Sequence, residues 1–528
     1  MPPVETFELV LALLLAVIAL HWVAGRLRLP PATALLVGGG ALAFVPGLSP
    51  IELDPGFILA FFLPPLLMDG AYYTALGRFR RHLPGILSLA IGAVVFTTLA
   101  VGVVLHWLVP TLPWAACLAL GAIVSPPDAV SARAVLQGVT LPRRVSALLE
   151  GESLLNDATG LVLFRFAVVA ALSGGFNATS AATDFARVAV GGVATGFAVS
   201  AAWLFVMRRL QDETLVIATS ALLCWCAYAV GEALHVSGVI ATVTAGLMLG
   251  WYQHVVFSAA VRLRGTAFWR TMVFVLEALV FILIGFSLRG VFERLAMDGA
   301  TEIAELAIPV LAVIATIVVA RFVWLFGVDA LLGGLRRLGS RRAQPLGWRQ
   351  ATVLGWAGMR GVVTLAVALT LPATMPGRDL MLIAAFASIL ATVVLQGTSL
   401  GWLIRRIRPV DLDPPAKLAS PVAEAAVAKS RYAAVASLAY APDGTLVHPR
   451  LLEDSARRLR ATERYADDSE RFMEDLRPHF DLVLAAIAAG RAELLRQHRA
   501  GLIEDETLHD LERDLDVEEI SIILQRGD

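Results

Sequence analysis

Apolar residues run along this chain in long blocks separated by short stretches rich in arginine. The blocks fall near 7–25, 31–48, 56–74, 84–109, 114–137, 150–173 and 186–207, then near 214–232, 235–250, 271–291, 303–330, 350–372 and 379–404. A helix needs about 20 mostly apolar residues to cross a bilayer. The pattern therefore predicts an all-α polytopic membrane protein of thirteen spans. From about residue 411 the pattern changes, with charged stretches such as 451–460 showing apolar positions at helical spacing. Soluble helices are expected over 420–440, 448–475 and 477–525, after a linker at 411–415. The reading divides the chain into a transmembrane part, 1–410, and a helical cytoplasmic tail, 411–528, whose role is either regulation or assembly.

The loop arginines orient the spans. Alternate loops hold Arg26 and Arg28; Arg78, Arg80 and Arg81; Arg143 and Arg144; and Arg208 and Arg209. The series continues with Arg262, Arg264 and Arg270; Arg336, Arg337, Arg341, Arg342 and Arg349; then Arg405, Arg406 and Arg408. The intervening loops hold only Arg187, Arg289, Arg294 and Arg378. Positive charge is retained on the cytoplasmic side, so the N-terminus is expected outside and the C-terminus inside. The opening Met-Pro-Pro-Val-Glu lacks a basic stretch, so 7–25 reads as a retained span, not a cleaved signal.

Composition agrees: 57% of residues are hydrophobic and 16% charged, far from a soluble average. The net charge of −1 says little, because the charges are segregated by region, and no nucleic-acid partner is expected. Cys117, Cys224 and Cys226 all lie in apolar runs and read as small core residues, not disulfides or metal ligands. No cofactor is called for.

Two spans are interrupted. Ser125-Pro-Pro-Asp128-Ala-Val-Ser131 sits inside the fifth, where two prolines remove backbone donors and bar helix just upstream. Gly355-Trp-Ala-Gly358-Met-Arg360-Gly361 interrupts the twelfth. Broken backbone at bilayer depth survives only when buried in protein or lining a wet cavity. Spans one to six and eight to thirteen can be overlaid in opposite orientation, pairing five with twelve, as expected of a transporter built from inverted repeats.

The candidate chemistry begins in Gly151-Glu-Ser-Leu-Leu-Asn-Asp157, at the head of an apolar run. A carboxylate at membrane depth marks an ion or proton pathway. On a helix Ser153 and Asp157 share one face, with Glu152 and Asn156 on an adjacent one. Ser153, Asn156 and Asp157 offer hard oxygen donors suited to sodium. Removal from water favours the protonated form of a carboxyl group, and a bound cation favours the charged form. Such a group holds a proton or a cation in competition. Asp128 either caps the following half-helix or faces the ion, and Asp69 lines the cytoplasmic approach or adds a ligand. Arg360 requires an anionic partner, for which Glu152 is the candidate. Glu277 reads as a packing residue or a second titrating site. His21, His106, His235 and His254 read as interfacial, and Asn177-Ala-Thr179 is a weak glycosylation match.

At these residues the chain resembles the monovalent cation:proton antiporter-1 family, the NhaP-type bacterial sodium/proton antiporters and their animal exchanger relatives. The resemblance is carried by Phe62-Leu-Pro-Pro-x-x-x-Asp69, Ser125-Pro-Pro-Asp-Ala-Val130, Gly151-Glu-Ser-x-x-Asn-Asp157, Gly358-x-Arg-Gly361 and Val394-Leu-Gln-Gly397. It implies an inverted-repeat fold with dimerisation and moving core subdomains, and homodimers working by an elevator-like motion in membrane lipid. It implies that Asp157 binds ion and proton, with Asn156, Ser153 and Asp128 around it, Asp157, Ser153 and Asp128 being ligands of transported sodium. The family's glutamate–arginine pair falls on Glu152 and Arg360. Its Asn-Asp pairing goes with electroneutral one-for-one exchange. Asp69 departs from the glutamate that many bacterial relatives carry, and its reach is shorter.

The expectation is a non-enzymatic sodium/proton antiporter of a bacterial inner membrane, serving pH and sodium homeostasis. Potassium/proton exchange by the same site is the near alternative, and a pH-gated cation channel a more distant one. An intramembrane hydrolase is disfavoured, because no histidine or second carboxylate is placed to activate Ser153.

Overall fold

The computed structural model describes residues 3–27, 29–45, 55–128, 141–173, 178–286, 300–339, 344–411, 420–441 and 443–526. Ser131 of the first break, Asn177 of the glycosylation match, residues 412–415 of the linker, and Arg28, Arg289, Arg294, Arg341 and Arg342 lie outside them. Among the described residues every extended regular element is helical, and a single isolated bridge joins Tyr440 to Leu446. The chain forms two compact units, Met1–Asp413 and Pro414–Asp528.

Among the described residues of the first unit, 8 helices are long and apolar enough to cross a membrane. They are Leu76–Leu108, Arg143–Ser173, Thr183–Met207, Glu213–Ala233, Gly238–Val256, Ala259–Gly285, Leu306–Arg337 and Arg378–Ile407. Shorter apolar helices include Leu11–Leu27, Pro31–Ala43, Gly56–Tyr72 and Trp114–Val124. The two breaks fall where the prolines and glycines put them. One helix stops at Val124, and Trp348–Trp356 is separated from Val362–Leu369 by non-helical backbone. Polar caps set other starts: the Asp212 carboxylate accepts from Leu215 N–H at 2.8 Å and the Ser237 hydroxyl accepts from Ile240 N–H at 3.1 Å.

The buried apolar side chains gather into two main clusters. One joins Leu36, Phe62, Met68, Leu223, Leu249 and Ile282; the other joins Leu105, Leu120, Ile123, Ile317, Met381 and Ala385. In the first, the helices Pro31–Ala43 and Ala259–Phe286 touch backbone to backbone. A Cβ on Gly39 would lie 2.3 Å from Ile282 O, and one on Gly285 would lie 2.2 Å from Leu36 O. Small residues allow this approach, which packs membrane helices in the absence of a hydrophobic drive between them.

The second unit holds the helices Ser420–Leu438, Pro449–Asp467, Ser469–Arg499 and Asp505–Arg526. The expected long helices over 448–475 and 477–525 are corrected here. Asp468 is extended and stops one, while the chain turns between Arg499 and Asp505 to divide the other. Arg491 bridges the last two helices, reaching Asp516 and Glu519 at 2.6 Å each.

Gly285→Val should force apart the two helices that meet at Gly39 and cost about 1–3 kcal/mol. Thermal unfolding of the purified protein in detergent reads this as a lower midpoint. Gly327→Ala, where an added Cβ meets nothing within 4 Å, should leave the midpoint unchanged.

Candidate functional site

The two interrupted helices meet. The Asp128 backbone N–H donates to Met359 O at 2.7 Å. Arg360 returns the contact: its Nε donates to Val124 O, its Nη1 to Gly358 O, and its backbone N–H to the Thr392 hydroxyl at 3.0 Å. Thr392 opens a π-helical turn, Thr392–Gln396, in the helix beside the break. Gly361 is required by closeness: a Cβ there would sit 1.9 Å from Asp128 Oδ2.

Against the first break passes the helix Arg143–Ser173, which carries the predicted site residues Glu152, Ser153, Asn156 and Asp157. The side-chain amide of Asn156 donates to Pro127 O at 2.5 Å, so it ties this helix to a carbonyl that the proline break leaves without a helical partner. Its Oδ1 is buried with no hydrogen-bond partner. Asn156 is 0% exposed and Asp157 8%. Asp157 opens, together with Ser153 and Asp128, onto a cavity of about 160 Å³. The opposite wall is Leu63, Leu66, Leu67 and Gly70 of the helix Pro55–Tyr72, with Tyr73 just beyond it. Four of the five residues expected to bind the ion are thus near one another: Asp157, Ser153 and Asp128 line the cavity, and Asn156 braces its edge. Oxygen donors of this kind suit a hard monovalent cation, and no group of three or more His, Cys, Asp or Glu residues poised for a bound metal occurs among the described residues.

Asp69 is placed elsewhere. It lines a separate cavity of about 630 Å³ with His21, Arg270, Thr266 and Glu277.

The salt bridge also differs from expectation. Glu152, 1% exposed, is held by Arg321, whose Nη1 and Nη2 donate to its two carboxylate oxygens at 2.6 and 2.8 Å. Arg321 Nε donates to Leu354 O at 3.0 Å, which anchors the pair to the helix before the second break. Arg360 lies within electrostatic reach of both members, but its hydrogen bonds go to backbone carbonyls. The reason is geometric: Arg360 sits inside the break, where half-helix ends expose carbonyls, whereas Arg321 projects from a continuous helix facing Glu152. Arg321 was missed in the sequence. Its signal was an arginine within the apolar run 303–330, which demands a buried partner as strongly as Arg360 does.

Removing one member of a buried, hydrogen-bonded ion pair is costly, about 3–5 kcal/mol, because it strands the other. Glu152→Gln and Arg321→Met should each lower the unfolding midpoint markedly, and the double variant Glu152→Leu/Arg321→Met should recover much of the loss. A silent Arg321→Met would return the pairing to Arg360.

The comparisons with known proteins agree with this architecture. The family model described as sodium/hydrogen exchanger, transmembrane, matches residues 10–406. An Escherichia coli (strain K12) protein called an uncharacterized Na(+)/H(+) exchanger, YjcE, is 31% identical over 503 residues, covering 90% of each chain. A sodium, potassium, lithium and rubidium/H(+) antiporter of Bacillus pumilus is 31% identical over 414 residues, covering 76% of this chain and 61% of its own. The structure of the sodium proton antiporter MjNhaP1 from Methanocaldococcus jannaschii superposes with a TM-score of 0.59 at 20% identity, covering 76% of this chain and 99% of that one, and so shares the fold. The chain belongs to the transmembrane sodium/hydrogen exchanger family.

Proposed function

We propose that this protein is a secondary transporter that exchanges sodium for protons, one for one and without net charge movement, across a bacterial inner membrane. The observation that carries the reading is Asp157: a buried carboxyl group facing a small cavity beside Ser153 and Asp128, with the two buried arginines among the described residues, Arg321 and Arg360, engaged elsewhere. Because Arg321 is locked to Glu152 and Arg360 to carbonyls, no fixed cation among the described residues is hydrogen-bonded to Asp157. Its counter-charge is then the transported ion or a proton, never both. A site that must be occupied by one or the other before it can move produces exchange. The charge balance follows, since Asp157 is neutralised in either occupied state.

The full arrangement belongs to the same proposal. The transmembrane part, 1–410, has thirteen spans with the N-terminus outside, two inverted six-span halves, and works as a homodimer in lipid, with 411–528 as a cytoplasmic tail. The alternating loop arginines support the orientation, and the meeting of the two breaks supports the repeat. Potassium is retained as a second cation, because the Bacillus pumilus relative is named for sodium, potassium, lithium and rubidium. Ligands that are all oxygen accept each of these ions, and discrimination then rests on cavity size. The assignments to Asn156, Ser153 and Asp128 as ion ligands belong to this proposal too, whereas Asp69 acts outside the 160 Å³ cavity.

In proteoliposomes with an imposed sodium gradient and a lumenal pH dye, the wild-type protein should move protons against sodium at a rate insensitive to membrane potential. Asp157→Asn should reduce this to the level of empty liposomes while leaving the unfolding midpoint unchanged or raised, since a buried charge is removed. Exchange retained by Asp157→Asn sinks the assignment; a potential-dependent flux sinks electroneutrality. Acidifying both sides should suppress exchange, because protons then hold Asp157 against the cation.

A further inference from the structure

Two cavities of unequal size lie on either side of one residue. The smaller holds Asp157; the larger, of about 630 Å³, is lined by Asp69, Arg270 and Glu277 over a floor that includes Leu35 and Phe281. Tyr73 lines both. It follows the helix Pro55–Tyr72, its backbone N–H donating to Asp69 O at 3.2 Å one helical turn back, and it shares the lining of the larger cavity with Thr266 of the helix Ala259–Phe286. Its neighbour Tyr72 packs edge-on at 4.9 Å and donates its own hydroxyl to Gln253 Oε1 at 2.5 Å. Tyr73 thus sits at the junction of the cavities, packed against Tyr72. By the loop-arginine orientation this junction faces the cytoplasm, because Arg26, Arg78 and Arg262 flank it.

We infer that Tyr73 is the cytoplasmic partition of the ion path: cations enter the larger cavity, and the Tyr73 ring controls their passage to Asp157. The inference rests on the antiport reading for its biological meaning, but the geometry stands without it. Asp69 and Glu277 place carboxylate oxygens on the wall of the larger cavity, beside Arg270 and His21, and oxygen donors of this kind suit a passing hard cation. A ring at its inner mouth then sets the rate at which a partly dehydrated ion reaches the smaller cavity. The aromatic face itself stabilises a passing cation. The ring and the hydroxyl have separable roles, because Tyr73→Phe removes one and keeps the other.

The test is accessibility. In a protein with Cys117, Cys224 and Cys226 replaced by serine, a single cysteine is introduced as Val363→Cys in the smaller cavity or Thr271→Cys in the larger one. Inverted membrane vesicles, which present the cytoplasmic face, are treated with a membrane-impermeant cationic methanethiosulfonate. Adding Tyr73→Ala should speed labelling of Val363→Cys about tenfold or more, equivalent to lowering the barrier by about 1.4 kcal/mol, and leave Thr271→Cys unchanged. Tyr73→Phe, which keeps the ring, should accelerate Val363→Cys much less than Tyr73→Ala does. Unchanged labelling of Val363→Cys in Tyr73→Ala overturns the inference, as does acceleration only from the outer face of right-side-out vesicles. Should Tyr73→Ala not fold, Tyr73→Trp serves instead: the larger ring should slow labelling, and equal rates would overturn the inference. Absence of sodium-driven proton movement in the wild-type protein, with labelling still dependent on Tyr73, would refute the antiport reading alone.

Discussion

The structure depends on two broken helices completing each other. Inside a bilayer no water is available to satisfy a backbone group, so an interrupted helix is unstable unless protein supplies its partners. Here the Asp128 N–H finds Met359 O, and Val124 O is met by the Arg360 guanidinium. Pro127 O takes the amide of Asn156. Each break is the other's solvent. The contacts that make the interruptions tolerable also fix Asp128 and hold the helix bearing Asp157 at the edge of the cavity. Gly361 shows how tight the fit is, for its backbone and the Asp128 carboxylate occupy space that no other residue type would leave free.

Charge is disposed around this junction so that one carboxyl group stays available. Two arginines and a glutamate are buried within a short distance, and an arrangement with Arg360 directed at Asp157 would satisfy both electrostatically. It would also abolish the site. Instead Arg321 engages Glu152 through both carboxylate oxygens, and Arg360 is engaged by carbonyls at the half-helix ends. Carbonyl dipoles at a helix C-terminus are a natural partner for a guanidinium that cannot lose its proton. The arrangement is stable without drawing on Asp157.

What the sequence made legible was whatever is local. Apolar blocks, proline breaks, caps and the motif around Asp157 are written in neighbouring residues, and the structure places Asp157, Ser153 and Asp128 on one cavity accordingly. The partner of Glu152 was not legible, because nothing local says which of two distant arginines faces it. Arg360 drew the assignment through its flanking glycines, yet those glycines make the break whose carbonyls then claim it. Asp69 stays between two readings, a wall of the cytoplasmic approach or a ligand, for a related reason. Leu63, Leu66, Leu67 and Gly70 follow one another at helical spacing along the cavity wall, and Asp69 falls off that stripe. The motif identified the helix but not its rotation.

The two walls of the Asp157 cavity differ in kind, and this bears on how the site could move. Asp157, Ser153 and Asp128 all come from the side that includes the breaks, while Leu63, Leu66, Leu67 and Gly70 opposite offer no side-chain ligand. An ion bound here would be held by one wall alone. If that wall shifts as a unit, the ion travels with it, and the only contacts to be exchanged at the cavity are apolar and non-directional. A polar opposite wall would have to break and remake hydrogen bonds at every cycle, at a cost in low dielectric that an apolar wall avoids. The elevator-like motion that the family resemblance implies needs what the helix Pro55–Tyr72 supplies: a face without side-chain ligands at Leu63, Leu66, Leu67 and Gly70, followed by the Tyr73 ring where the path opens toward the larger cavity.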